Sequence, residues 1–151
     1  MITIDDLKNK IDRNSRLVGL DVGTKRIGIS ICDDKRSIAT PLKTLTYSNI
    51  NNLINELDTI IFENNIKGII IGNPINMDGS LGKASQSVKS KVDIISKRIT
   101  IPIVLWDERL STVGAFNISS LLDVNVSKRT KNIDENAAAF ILQGAIDYLN
   151  N

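Results

Sequence analysis

The sequence predicts an α/β fold built on a five-stranded mixed sheet with helices on both faces. Two observations predict it: three strand-like segments follow one another directly, and strand-like and helical segments alternate after them. Strands joined by short turns pair antiparallel, whereas strands that alternate with helices form parallel, right-handed crossovers. With 151 residues and no internal repeat, low-complexity tract or linker, we expect a single domain at 16–151 and an N-terminal helical extension at 1–15.

The first half of the chain predicts a short helix followed by three antiparallel strands. Leu7 and Ile11 would share one side of the helix. Apolar runs and period-two alternation predict the strands, at 17–22, 27–32 and 37–45. Residues 23–26 are short enough for a hairpin, and 33–36 carry a turn signal.

The second half alternates helices and strands. The helical spacing of Ile and Leu residues predicts the helices, and a run of β-branched residues predicts a buried parallel strand. The predicted order begins with a helix capped by Ser48 or Asn49, a strand at 67–72, a loop at 73–82 and a helix opened by Ser85. A strand at 102–106, a helix capped by Ser111 or Thr112 and a last helix to about Leu149 follow. In the last helix, the residues expected to face the core are Ala138, Ile141, Leu142, Ala145 and Ile146.

The composition excludes several kinds of chemistry. The chain has no histidine and one cysteine, Cys32, which removes Ser-His-Asp catalysis, imidazole as general base, and His- or thiolate-ligated zinc. We expect Cys32 to fill a strand position. Any metal would need oxygen ligands, which favours Mg²⁺ or Mn²⁺. No apolar run nears the roughly 20 residues of a membrane span, and we expect no signal peptide, no membrane partner and a cytoplasmic location.

Four carboxylates stand out by their context. Asp21 lies inside an apolar strand, Asp107 and Glu108 come where the last strand ends, and Asp134 opens the final helix. Burying an unpaired carboxylate costs several kcal/mol or more, so Asp21 is the hardest to explain structurally. The others have ordinary alternatives: Asp134 as a helix N-terminal charge, Asp107 as a turn cap or a partner of Arg109, and Glu108 as a solvated loop acid.

These carboxylates are placed where they could meet. In open α/β sheets, sites gather at the carboxyl ends of central strands. Converging carboxylates would form an all-oxygen cage for one or two divalent ions, which can activate water and stabilise the leaving oxygen of a phosphodiester. Because the like charges repel without metal, metal binding and folding of the site should be linked.

Basic residues are clustered, although the net charge is only +2. Clusters on one face would contact phosphates, but an ordinary solvated surface explains them equally well. The clusters are Lys25-Arg26, Lys35-Arg36, Lys97-Arg98 and Lys128-Arg129 with Lys131. Lys128 and Arg129 are candidate substrate contacts.

Four ordered segments identify a resemblance. They are residues 19–28 (GLDVGTKRIG), 72–74 (GNP) with 77–79 (MDG), 107–112 (DERLST), and Ile133-Asp134 with Ala137-Ala138 and Ile141-Leu142-Gln143. In this order and spacing, from Leu17 to Leu149, the chain resembles the YqgF/RuvX family. Those proteins are regarded as Holliday junction resolvases or pre-16S rRNA nucleases of the ribonuclease H-like fold.

The resemblance implies a site and a cofactor. Its acidic triad would be Asp21, Glu108 and Asp134, serving both catalysis and Mg²⁺ or Mn²⁺ binding. Lys25, Arg26 and Arg109 would contact the substrate. Asp107 is left undecided, because adjacent strand residues point to opposite faces. Asn73 departs from the family, which usually has an apolar or basic residue there.

Several functions remain open at this level. The first is metal-dependent hydrolysis at the 5′ end of pre-16S rRNA, and the alternative is Holliday junction resolution, for which a homodimer would suit symmetric cutting. A nucleic-acid-binding factor with vestigial cleavage predicts salt-sensitive binding without turnover. Actin-like phosphoryl transfer needs two such domains, and this chain has room for one.

Overall fold

A computed structural model of the chain describes residues 1–74, 78–108 and 133–151. Its helices are α1 (Ile4–Lys10), α2 (Ile50–Asn64), α3 (Lys83–Ser96) and α4 (Ile133–Asn150). Its strands are β1 (Arg16–Val22), β2 (Arg26–Cys32), β3 (Ala39–Thr46), β4 (Ile66–Asn73) and β5 (Ile103–Asp107). The predicted helix at Ser111 or Thr112 and the basic residues Arg109, Lys128 and Arg129 lie outside the described residues.

The strands form one sheet in the order β3-β2-β1-β4-β5. β1, β2 and β3 pair antiparallel, and β1, β4 and β5 pair parallel. The predicted mixed sheet with three antiparallel strands first is therefore confirmed. β1 is the central strand, so its carboxyl end is flanked by β2 on one side and β4 on the other.

Helices cover both faces, as predicted, and each face has its own apolar core. On one face, side chains such as Leu20 pack under α2 and α3. On the other, side chains such as Leu17 and Ile70 pack under α1 and α4. The five α4 residues predicted to face the core, from Ala138 to Ile146, are all buried. Neighbouring residues of β1 thus point into different cores.

The two middle helices begin differently from one another. Asn49 caps α2, as predicted, and its side chain accepts a hydrogen bond from Asn52 N. The prediction that Ser85 opens the next helix is wrong, because α3 begins at Lys83 after Gly82. Ser85 is buried, and its hydroxyl donates to Asn73 Oδ1 over 2.6 Å. The hydroxyl therefore joins α3 to the end of β4 and caps no helix.

The N-terminal segment lies along the edge of the sheet. Ile2 forms a parallel bridge with Val104 of β5, and its N–H donates to Ile103 O over 3.0 Å. A capping box between Thr3 and Asp6 starts α1. Leu7 is fully buried in the core under α4. Residues 2–7 thus cover the β5 edge.

α4 is the longest of the described helices, at 18 residues or about 27 Å. It packs against β1, β2 and β3. Asp134 and Glu135 lie in its first turn, and Asn150 ends it. No helix within the described ranges is long and apolar enough to cross a bilayer.

Candidate active site

Asp21 lies on the α4 face of the central strand. Strand alternation puts it on the same side as Leu17, which packs under α4. It is half-buried and pairs across the ladder with Gly28 of β2. The carboxylate therefore enters the space between the sheet and the start of α4.

Glu108 comes directly after β5, and its side chain reaches back across β4. A Cβ at Gly72 would lie 3.0 Å from Glu108 Oε1. Leu20 pairs with Ile71, so Gly72 is one position further along, beside Asp21. Because Gly72 has no side chain, the Glu108 carboxylate can lie over β4 towards Asp21.

Asp134 reaches the same place from the first turn of α4. A Cβ at Gly28 would overlap the Asp134 backbone carbonyl, so only glycine lets α4 start this close to β2. The Asp134 carboxylate forms an ion pair with Arg26, with 3.1 Å between Oδ2 and Nε. Its side chain is 24% exposed and that of Arg26 is 58% exposed.

Burial and mutual repulsion act on these carboxylates. Burial, followed by the charge of Asp134, raises the pKa of Asp21 from 3.8 to about 6. Burial, followed by the charges of Asp21 and Asp107, raises the pKa of Glu108 from 4.5 to about 7. The three predicted residues are thus near enough for their charges to interact, and two of them resist ionisation.

The three carboxylates do not form a closed metal cage in this arrangement. Among residues 1–74, 78–108 and 133–151, no group of three His, Cys, Asp or Glu side chains is placed to hold a metal ion. One oxygen of Asp134 is engaged by Arg26. The catalytic and metal-binding roles of Asp21, Glu108 and Asp134 stay predictions.

The other predicted residues are placed as follows. Arg26 contacts Asp134, while Lys25 is exposed in the hairpin after β1. Asp107 follows Trp106, which packs under α4, so alternation turns Asp107 to the other face. Cys32 is buried, and its Sγ accepts a hydrogen bond from Leu17 N at 3.1 Å, as befits a strand filler.

Two glycines beside Asp21 shape the site without having been predicted as site residues. Gly28 and Gly72 sit in the strands on either side and make room for Asp134 and Glu108. A signal was present, since a glycine inside a strand often marks a close approach of backbone or ligand. Both glycines also fall in the segments that carry the family resemblance.

We expect the metal-free chain to lose stability as pH rises from about 4 to about 7. The raised pKa values mean that the folded chain binds protons on Asp21 and Glu108 more tightly than the unfolded chain, so stability falls as both ionise. For Asp21, the rise from 3.8 to about 6 corresponds to at most roughly 3 kcal/mol.

Urea unfolding in EDTA across this pH range measures the effect. Asp21→Asn should flatten the curve and raise stability at high pH. Asp58→Asn, at an exposed position of α2, is the control and should leave the curve unchanged. Equal curves for the wild type and Asp21→Asn would contradict the prediction.

A family model named RuvX, described as Holliday junction resolvase, matches residues 15–148. The chain belongs to the RuvX family. Two curated members named "Putative pre-16S rRNA nuclease" show how close the relationship is. The protein from Pelagibacter ubique is 67% identical over 151 residues, covering 100% of both chains. The protein from Rhodobacter capsulatus is 40% identical and covers 97% of this chain and 92% of its own length.

Solved structures place the RuvX-family chain in a known fold. The Thermus thermophilus RuvC complex with a Holliday junction substrate aligns with a TM-score of 0.56 at 11% identity, covering 89% of this chain and 94% of that one. At this identity the likeness concerns the fold alone. The predicted family, the ribonuclease H-like fold and the assignment to the nuclease class of hydrolases are confirmed.

Proposed function

We propose that the chain is a divalent-metal-dependent nuclease that hydrolyses phosphodiester bonds in pre-16S rRNA, using Asp21, Glu108 and Asp134. One observation carries the proposal. The carboxylates of Asp21 and Glu108 are partly buried and have raised pKa values, and they lie at the carboxyl ends of β1 and β5. Within the described residues, neither forms an ion pair with a Lys or Arg. Unpaired, partly buried carboxylates destabilise the folded chain, and a cation bound from solution would offset that cost.

The donor set fits Mg²⁺ or Mn²⁺. All three side chains offer oxygen, and the chain has no histidine to favour a softer metal. When bound, the metal supplies electrostatic stabilisation for the charge that develops on the phosphoryl oxygens. Asp21 would hold it from β1 and Glu108 from just after β5, and Asp134 would complete the set from α4.

In this proposal Arg26 can bind either Asp134 or a substrate phosphate. In the structure its guanidinium pairs with Asp134. A substrate phosphate carries the same charge as a carboxylate and binds guanidinium in the same geometry. Substrate binding would therefore draw Arg26 away and release Asp134 to the metal. Lys25, exposed beside it, would add a second phosphate contact.

The substrate is inferred from the relatives. The names of the curated relatives refer to pre-16S rRNA. These names support a role for this chain in ribosome biogenesis, and we propose the cytoplasm as its location. The description of the family model favours a second candidate, Holliday junction resolution. That candidate would require two sites in a homodimer to cut two strands symmetrically.

The purified chain is to be tested on a pre-16S rRNA leader and on a four-way DNA junction, with Mn²⁺, with Mg²⁺ and with EDTA. We expect metal-dependent cleavage of the RNA, and its loss in Glu108→Gln. Symmetric cleavage of the junction alone would favour the second candidate. Salt-sensitive binding without turnover on either substrate would overturn the nuclease and leave a binding factor.

A further inference from the structure

A basic cavity lies at the far end of α4 from the candidate active site. Lys8, Arg13, Lys35 and Arg36 line it together with Asn150 and Asn151, and no Asp or Glu side chain is among the described residues that line it. Lys8 Nζ donates to Asn151 O over 2.9 Å, so the other three cations carry the argument. Asp134 and Asn150 are 16 positions apart on one helix, or about 24 Å along its axis. The cavity is therefore separate from the carboxylate cluster.

Arg36 is the buried one of the four basic residues that line this cavity. The residue is 4% exposed, and its backbone has φ 52°, a left-handed conformation that side chains other than glycine seldom adopt. Nη1 donates to Asp12 O and Nη2 donates to Asn150 Oδ1, each over 3.1 Å. Asn150 Nδ2 donates back to Arg36 O over 2.9 Å. The guanidinium is thus held in place from both ends of the chain.

The described hydrogen-bond partners of this guanidinium are neutral. Within the described ranges no carboxylate forms an ion pair with Arg36, and Nε is buried without a hydrogen-bond partner. The nearest acid in sequence, Asp33, is engaged elsewhere, since its carboxylate accepts hydrogen bonds from Ser37 and Ile38. Burial lowers the pKa of Arg36; the charge of Cys32 opposes this shift, and the charge of Arg13 adds to it in smaller part. A buried cation without a counter-ion is costly, and an anion would remove that cost.

We propose that the basic cavity around Arg36 binds a phosphate group of nucleic acid outside the cleavage site. Phosphate has the charge and geometry that guanidinium and ammonium groups bind. The anion site stands on the cavity and on the buried guanidinium. Only the choice of nucleic acid as the source of the phosphate rests on the proposed function.

Binding of labelled duplex RNA to the full chain in EDTA, across a series of KCl concentrations, tests the proposal. Arg13→Gln with Lys35→Gln removes two cavity charges and spares Arg36, whose loss would disturb folding. Lys67→Gln with Lys89→Gln removes two exposed charges, in β4 and α3, that belong to none of the basic clusters. We expect the cavity variant to bind more weakly with a salt slope shallower by about two, and the control to bind like the wild type.

Inorganic phosphate distinguishes the two sources. If phosphate shifts the amide resonances of Arg36 and Asn150 in the wild type and not in the cavity variant, while RNA binding is equal in both, the site takes free phosphate. If neither RNA nor phosphate distinguishes the cavity variant from the control, the proposal is overturned. Because EDTA prevents cleavage, a chain that binds through this cavity but never cuts would refute only the proposed function.

Discussion

Asp21→Asn is expected to lower metal-dependent cleavage by at least about 10³-fold, which corresponds to roughly 4 kcal/mol of transition-state stabilisation. Asp21 lies on the central strand, with Glu108 on its β4 side and Asp134 on its β2 side. A metal ion held by either of these two carboxylates would therefore also lie beside Asp21. An amide has nearly the same shape but no negative charge to offer a hard cation. The variant should fold, because the substitution also removes a buried charge.

Two measurements separate this loss from misfolding. The wild-type chain should be stabilised against heat by Mn²⁺, since a ligand that binds only the folded state raises the free energy of unfolding, and Asp21→Asn should show no such rise. Asp93→Asn, at an exposed position of α3, is the matched control and should cleave normally. Cleavage by Asp21→Asn at the wild-type rate would refute the assignment of the site.

Gly28→Ala is expected to destabilise the chain by roughly 1–3 kcal/mol or more and to reduce cleavage sharply. The new methyl group would overlap the backbone of Asp134, and backbone in the first turn of a helix cannot rotate away. α4 must shift off β2, which carries Asp134 away from Asp21. Urea unfolding and the cleavage assay would show both effects.

Gly68→Ala provides the matched control in another strand. A methyl group there would lie 3.0 Å from Leu17 Cδ2 and 3.3 Å from Leu7 Cδ1, both of which are ends of flexible side chains. It should therefore cost less stability and leave cleavage intact. If Gly28→Ala were no more harmful than Gly68→Ala, the close approach of α4 to β2 would not matter for the site.

The order of elements could be predicted because the local signals agree with the tertiary structure. The alternation of apolar and small residues over 27–32 and the β-branched run at 67–72 each predict a strand, and both segments are strands in the structure. Asp21 was conspicuous because its neighbours are apolar. The start of α3 was mispredicted, since Ser85 has the chemistry of a cap but is used to bind Asn73. Capping preference cannot reveal a tertiary partner.

The features that could not be predicted from the sequence depend on contacts between residues far apart in the chain. The ion pair between Arg26 and Asp134 joins a strand to a helix more than a hundred positions away. Arg36 was singled out only as part of a basic pair, because its burial comes from Asn150 and the N-terminal segment. Local charge patterning cannot distinguish a solvated arginine from a buried one.

The position of α4 in the chain ties the site to the order of synthesis. All five strands precede α4, so the ribosome delivers Asp21 and Glu108 before the helix that carries Asp134. Until α4 docks, the apolar face with Leu17 and Ile70 is uncovered. The same helix covers that face and carries Asp134. Under the proposed function, a nascent chain that ends before α4 should therefore not cleave nucleic acid.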